Sequence, residues 1–124
     1  MGSQPGRSGR QALGRAGEQQ AAEWYQAHGY RLVTRNWRGS GGELDLIVRL
    51  GRTVAFCEVK TRSTARFGVP AEAVTAVKQA RIRRLAGQWL AGQRGTAGWD
   101  GPVQVRFDVA AILDGAIQVI EGAF

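Results

Sequence analysis

The chain has 124 residues, enough for one hydrophobic core but short for two, and its 44% hydrophobic and 22% charged residues exclude an intrinsically disordered polymer. A formal net charge of +7 favours a polyanionic partner such as nucleic acid; no basic amphipathic helix with a large aromatic face argues for an acidic membrane surface. One cysteine, Cys57, and one histidine, His28, exclude an internal disulfide, a cysteine-based zinc site and a Cys/His catalytic cluster within the chain.

Residues Met1 to Gly9 are rich in Gly, Ser, Pro and Arg and are expected to form a mobile basic tail ahead of a single domain over residues 10–124. From Arg10 to His28 alanines supply helix propensity, and Leu13, Ala16, Ala21 and Trp24 are expected on one face, with Gly29 as the C-terminal cap. Gly14 and Gly17 weaken that helix but would let it approach a neighbour. Glu18 lies on the flank shared with Ala22 and Tyr25, either as an exposed charge or within reach of a site at a sheet edge.

Tyr30 to Trp37 reads as a strand, and the glycines of Arg38-Gly39-Ser40-Gly41-Gly42 favour a hinge or turn over a phosphate cradle, since the pattern GxxxxGK[ST] is absent. Gly42 to Arg62, GELDLIVRLGRTVAFCEVKTR, is the centre of the chain: two apolar runs around a turn at Leu50-Gly51-Arg52 make a β-hairpin. Alternation puts Glu43, Asp45 and Ile47 on one face of the first strand and Leu44, Leu46, Val48 and Leu50 on the other. On the second strand Val54, Phe56, Glu58, Lys60 and Arg62 share a face opposite Ala55, Cys57, Val59 and Thr61, which makes Cys57 a core residue. Antiparallel pairing then gathers Glu43, Asp45, Glu58 and Lys60 at one end of a sheet.

A loop from Ser63 to Pro70 carries Arg66 and Phe67, and a second helix is expected over Ala71 to Ala91 with an apolar stripe of Val74, Val77, Ile82, Leu85, Ala86 and Trp89. At about 100° per residue Lys78 and Arg81 fall within this stripe and point towards the charged end of the sheet, whereas Arg83 and Arg84 lie at its margin. After the Gly-rich connection Gly92 to Pro102, Val103 to Leu113 and Ala116 to Ile120 form a second hairpin turning at Asp114-Gly115. Helix, three strands, helix and two strands predict an α/β fold with a mixed sheet.

Asp45 and Glu58 offer hard oxygen ligands for Mg²⁺ or Mn²⁺, the Val59 carbonyl offers a further one, and Lys60 is placed to orient a water or stabilise charge on a phosphate. These are the parts of a phosphodiester hydrolase. The plainer alternative is a solvated sheet edge on which Glu58 and Lys60 pair across strands.

The segments GRAGEQQAAEWYQAHGYRLVTRNWR, GELDLIV, FCEVKTR, VPAEAVTAVKQARIRRLAGQWL and VRFDVAAI resemble the YraN-like family of small bacterial proteins, within the PD-(D/E)xK, or restriction-endonuclease-like, nuclease superfamily. The resemblance runs from about Gly14 to Ile120. It implies an αβββαβ core with a central mixed sheet flanked by helices, and a divalent-metal site. The motif's first acid falls on Asp45, its second on Glu58 and its lysine on Lys60. Glu43 matches the family's GE(I/L)D signature, and Glu18 sits where related Holliday-junction resolvases carry a metal-associated acid. Leu44 stands where the superfamily's name has proline, which makes the short motif less diagnostic.

The leading expectation is therefore a nuclease using Mg²⁺ or Mn²⁺ on DNA, including branched or damaged forms, with Arg35, Arg38, Arg62, Arg66, Lys78, Arg81 and Arg84 contacting phosphates. Its competitors are a nucleic-acid-binding module without catalysis and a partner-binding protein with a structural metal. Trp37, Phe67 and Trp99 are candidate stacking residues, more often core or loop packing. No apolar run approaches the about 20 residues of a membrane span, and the first residues lack a signal peptide's apolar segment, so the expected location is the cytoplasm. A homodimer would suit paired strands or junctions.

Overall fold

In the computed structural model, which describes residues 7–62, 74–102 and 104–124, the chain runs α1 (Arg7–Ala27), β1 (Arg31–Gly39), β2 (Gly42–Leu50), β3 (Thr53–Arg62), α2 (Ala76–Gln93), β4 (Gln104–Leu113) and β5 (Ala116–Ile120). The strands form one sheet in the order β1-β2-β3-β4-β5. β3 and β4 are parallel, and the other neighbouring pairs are antiparallel. The architecture is the expected α/β fold with a mixed sheet, compatible with a restriction-endonuclease-like core. A parallel neighbour requires a crossover, which α2 supplies.

Each face of the sheet carries one helix. Val54, Phe56 and Val109 pack with Ile82, Leu85, Ala86 and Trp89 of α2. Ala55, Cys57 and Ala110 pack with Ala21, Ala22 and Tyr25 of α1. The alternation read along β3 therefore holds, with Cys57 buried on the α1 face. On β2 it holds only from Leu46 onwards, because Leu44 joins Ile47 in the α2-side cluster while Leu46 and Val48 face α1. The break in alternation falls at Asp45.

α1 begins at Arg7, so residues 7–9 of the expected tail are helical, and the rest of that tail lies outside the described residues. Its buried line is Gly17, Ala21, Ala22 and Tyr25, whereas Ala16 is exposed and Trp24 half-buried. The expected face is thus rotated, for a steric reason. A β-carbon on Gly17 would overlap Thr61 Oγ1 and crowd Ile112, while none at Gly14 would meet anything within 4 Å. The helix comes down on the sheet at Gly17. Farther along, Tyr25 donates its hydroxyl to Asp108 Oδ2 at 2.6 Å.

The expected Gly-rich hinge is a tight turn. Gly39 pairs with Gly42, leaving Ser40 and Gly41 between the strands. α2 clamps this turn: Arg84 Nη1 donates to the Ser40 carbonyl at 2.9 Å, and the Ser40 amide donates to Gln88 Oε1 at 3.0 Å. A β-carbon on Gly39 would collide with Trp37, Gln88 and Leu85.

α2 starts at Ala76 because Thr75 caps it, its side chain accepting from the Lys78 amide at 3.2 Å. Residues 71–73 of the expected helix lie outside the described residues. Ile82, Leu85, Ala86 and Trp89 form the buried stripe, but Val77 is 81% exposed and does not belong to it. The second hairpin has its predicted turn, with Asp114 at φ 49° and Gly115 at φ 80°.

Candidate active site

The β2–β3 ladder ends at Leu46 opposite Cys57. One residue further, Asp45 and Glu58 would face each other, but Asp45 turns its carboxylate inward. Its Oδ2 accepts the Val59 amide at 2.8 Å, taking the place of a ladder carbonyl. A side chain that caps a neighbouring strand is held by backbone, so the aspartate is fixed where the hairpin opens.

Glu58 is buried, with 7% of its surface exposed. Its Oε1 meets Lys78 Nζ at 2.5 Å and Lys60 Nζ at 3.5 Å. Lys78 comes from the first turn of α2, on the side facing the sheet, as its position in the apolar stripe predicts. Asp45, Glu58, Lys78, Arg81, Glu43 and Gly42 line an open cleft of about 270 Å³.

The titration behaviour follows from burial and like charge. Burial pushes the Asp45 carboxyl up to about 7, the charge of Glu58 pushes the same way, and the Val59 amide opposes them. Glu18 is also raised, first by burial and then by Glu43 and Glu58, against a hydrogen bond from Asn36 and the charge of Arg35. α1 thus brings its glutamate within electrostatic range of the hairpin acids. Lys60 is lowered by burial and by Lys78 beside it, with Glu58 opposing. Burial also depresses Lys78, but its contact with Glu58 outweighs that and leaves it raised.

The remaining sequence-derived candidates occupy different places. Glu43 is exposed and pairs with Arg38 at 3.5 Å on the rim. Arg35 donates both Nη groups to Gln19 Oε1, at 3.0 and 2.9 Å, tying β1 to α1. Arg81 lines the cleft, Arg84 holds the β1–β2 turn, and Arg62 is exposed at the end of β3. Arg66 and Phe67 lie outside the described residues. Trp99 is half-buried, edge-on to Trp89 and beneath the Arg49 guanidinium, which accounts for it as packing.

Two features escape the sequence reading. Asn36 has a left-handed backbone at φ 54° and sits between the register pairs Arg35–Leu46 and Trp37–Leu44, opposite Asp45. The asparagine within the basic strand RLVTRNWRG is its only trace in the sequence. The second is Asp108, wholly buried on β4, which accepts from Arg106 Nε at 2.8 Å, Arg106 Nη2 at 2.9 Å, the Gly122 amide at 3.0 Å and Tyr25. Its partners satisfy the carboxylate completely, marking it as structural.

Among the described residues no three or more His, Cys, Asp or Glu side chains are grouped to hold a metal ion. A cation at the cleft would be held by Asp45 and Glu58, with a backbone carbonyl such as that of Val59 and water. Two carboxylates with water is the donor set Mg²⁺ accepts. The fit is supported by the desolvated, mutually repelling carboxyls, whose charge Lys78 now offsets in part. Among the described residues no helix is long and apolar enough to cross a membrane.

Comparison with known proteins places the chain. The family model described as Uncharacterised protein family UPF0102 matches residues 17–112. A UPF0102 protein of Beutenbergia cavernae is 51% identical over 102 residues, covering 82% of this chain and 82% of the relative. One of Acidothermus cellulolyticus is 47% identical over 127 residues, covering 94% and 96%, and one of Nocardia farcinica 54% over 105 residues, covering 84% and 78%. The match spans well over half of the chain, and these relatives are about half identical over most of their length, so the chain belongs to the UPF0102 family.

Proposed function

We propose that this protein is a divalent-metal-dependent nuclease that hydrolyses phosphodiester bonds in DNA. The observation that carries the reading is the pair Asp45 and Glu58: two desolvated carboxylates held at the open end of a hairpin, beside two lysines, in a cleft on a strongly basic chain. A sheet held together by surface charge pairs has no need of a carboxyl raised to about 7.

Bound there, Mg²⁺ or Mn²⁺ would lower the pKa of a coordinated water and neutralise charge on the phosphate. The chain's own groups do the rest. Asp45 is oriented by the Val59 amide. Lys78 holds Glu58 in place, and Lys60, depressed by burial, is suited to orient the attacking water or to stabilise the negative charge that develops on phosphorus oxygens. Arg81 at the cleft mouth supplies a phosphate contact.

Incubation of labelled linear, single-stranded and four-way DNA with Mn²⁺ or Mg²⁺ tests the reading. Wild type is expected to cut, and Asp45→Asn and Glu58→Gln to lose cutting by at least about 100-fold. Salt-sensitive DNA binding with no metal-dependent product at any protein concentration would favour a binding module instead, and equal cutting by both variants would refute the site.

A further inference from the structure

A second recess, of about 390 Å³, lies around the edge of the sheet on the α1 side, lined by Arg15, Glu18, Gln19, Arg35 and Asn36. It is joined to the acid cluster by two residues. Glu18 lines it and is raised by the charges of Glu43 and Glu58, and Asn36 stands opposite Asp45 in the register. β1 is an edge strand, so no further strand flanks Arg35 and Asn36 on the side away from the acids.

The recess is cationic and hydrogen-bonding. Arg15 is exposed, with no described residue paired to its guanidinium. Arg35 spends one hydrogen of each Nη on Gln19 and keeps the others. Asn36 lines the same recess and donates one hydrogen of its side-chain amide to Glu18, which leaves it a second. Charge complementarity on this scale matches a phosphodiester, while the neighbouring Glu18 disfavours a free, doubly charged phosphate.

We propose that Arg15, Arg35 and Asn36 form a second backbone-phosphate subsite, so that a polynucleotide runs over the sheet edge with cationic contacts on both sides of the acids and is cut internally. The inference rests on the nuclease reading above. An enzyme that trims ends needs such contacts on one side of the scissile bond only, whereas this arrangement grips the strand in both directions.

Binding tests the subsite without catalysis. Anisotropy of a labelled single-stranded oligonucleotide in EDTA is measured over a salt series for wild type, Arg15→Gln, the double variant Arg15→Gln/Arg35→Gln, and Arg94→Gln. Arg94, roughly 24 Å along α2 from Lys78, is the control. Arg15→Gln guards against loss of the Arg35–Gln19 tie between α1 and β1. The double variant is expected to bind about tenfold more weakly at low salt, with the slope of log affinity on log salt reduced by about 1.4, and Arg15→Gln to lose about half of that slope change; Arg94→Gln should match wild type. Wild-type binding with unchanged slopes in both variants overturns the subsite and leaves the nuclease reading intact. A wild type that neither binds nor cuts removes both. With Mn²⁺, circular single-stranded DNA is expected to be linearised, and digestion confined to open-ended strands overturns the two-sided path.

Discussion

Replacing Asp45 by Asn should make the metal-free protein more stable, by an amount that depends on pH. In the unfolded chain this carboxyl ionises near 3.8, and in the fold at about 7. The folded state therefore binds the proton more tightly, and ionisation works against folding. Stability is fully present below 3.8 and is lost progressively as pH rises to about 7. The interval corresponds to about 4 kcal/mol at about 1.4 kcal/mol per tenfold change in proton affinity, an upper bound because relaxation around the open cleft softens it. Asparagine keeps an oxygen for the Val59 amide and carries no charge. Urea denaturation in EDTA should therefore find Asp45→Asn more stable than wild type by about 2–4 kcal/mol at pH 8, with the gap closing to below about 1 kcal/mol at pH 4. Saturating Mn²⁺ at pH 8 should stabilise wild type alone, by about 2.7 kcal/mol at a hundredfold excess over Kd. A variant no more stable than wild type at pH 8, or a gap that ignores pH, would refute the account of Asp45 as a desolvated carboxylate beside Glu58.

Other outcomes follow from single contacts. Gly17→Ala should destabilise by about 1–3 kcal/mol despite alanine's better helix propensity, because its methyl meets Thr61 Oγ1; Thr61→Gly should recover part of the loss, read by thermal denaturation of the single and double variants. Asp108→Asn should cost about 3–5 kcal/mol, since Arg106 loses its buried counter-charge, and DNA cleavage per folded molecule should be unaffected. Lys60→Met should retain Mn²⁺ affinity by calorimetry while single-turnover cutting falls by about 100-fold or more.

The first hairpin was readable because period-2 patterning and the Gly51 turn both act locally, and they bring Asp45 and Glu58 to the same end without any knowledge of the rest of the chain. Lys78 and Arg81 were readable for the same reason, from their phase on α2. Other features depended on distant partners. The buried face of α1 is chosen by Gly17 against Thr61 and by Tyr25 against Asp108, 83 residues away, so the helix's own hydrophobic pattern pointed to a neighbouring face. Asp108 looked like one acid in the apolar strand VRFDVAAI, and its four donors come from three separate segments. The break in alternation at Asp45 and the left-handed Asn36 opposite it are a matched irregularity of two strands, which no single run of residues encodes.

The parallel pairing of β3 with β4 joins residues about fifty positions apart, from Thr53 with Gln104 to Arg62 with Leu113. The acids, by contrast, lie on a meander whose contacts are local. Local contacts form before distant ones close their loop. That order predicts that Asp45 and Glu58 meet while still in water and are desolvated when both helices dock, which φ-values on the hairpin and on α2 would check. Docking would then be the step at which burial raises the Asp45 carboxyl and a proton is taken up. Near neutral pH the late stage of folding should accordingly slow as the proton becomes scarce, a dependence that stopped-flow refolding of wild type against Asp45→Asn would show.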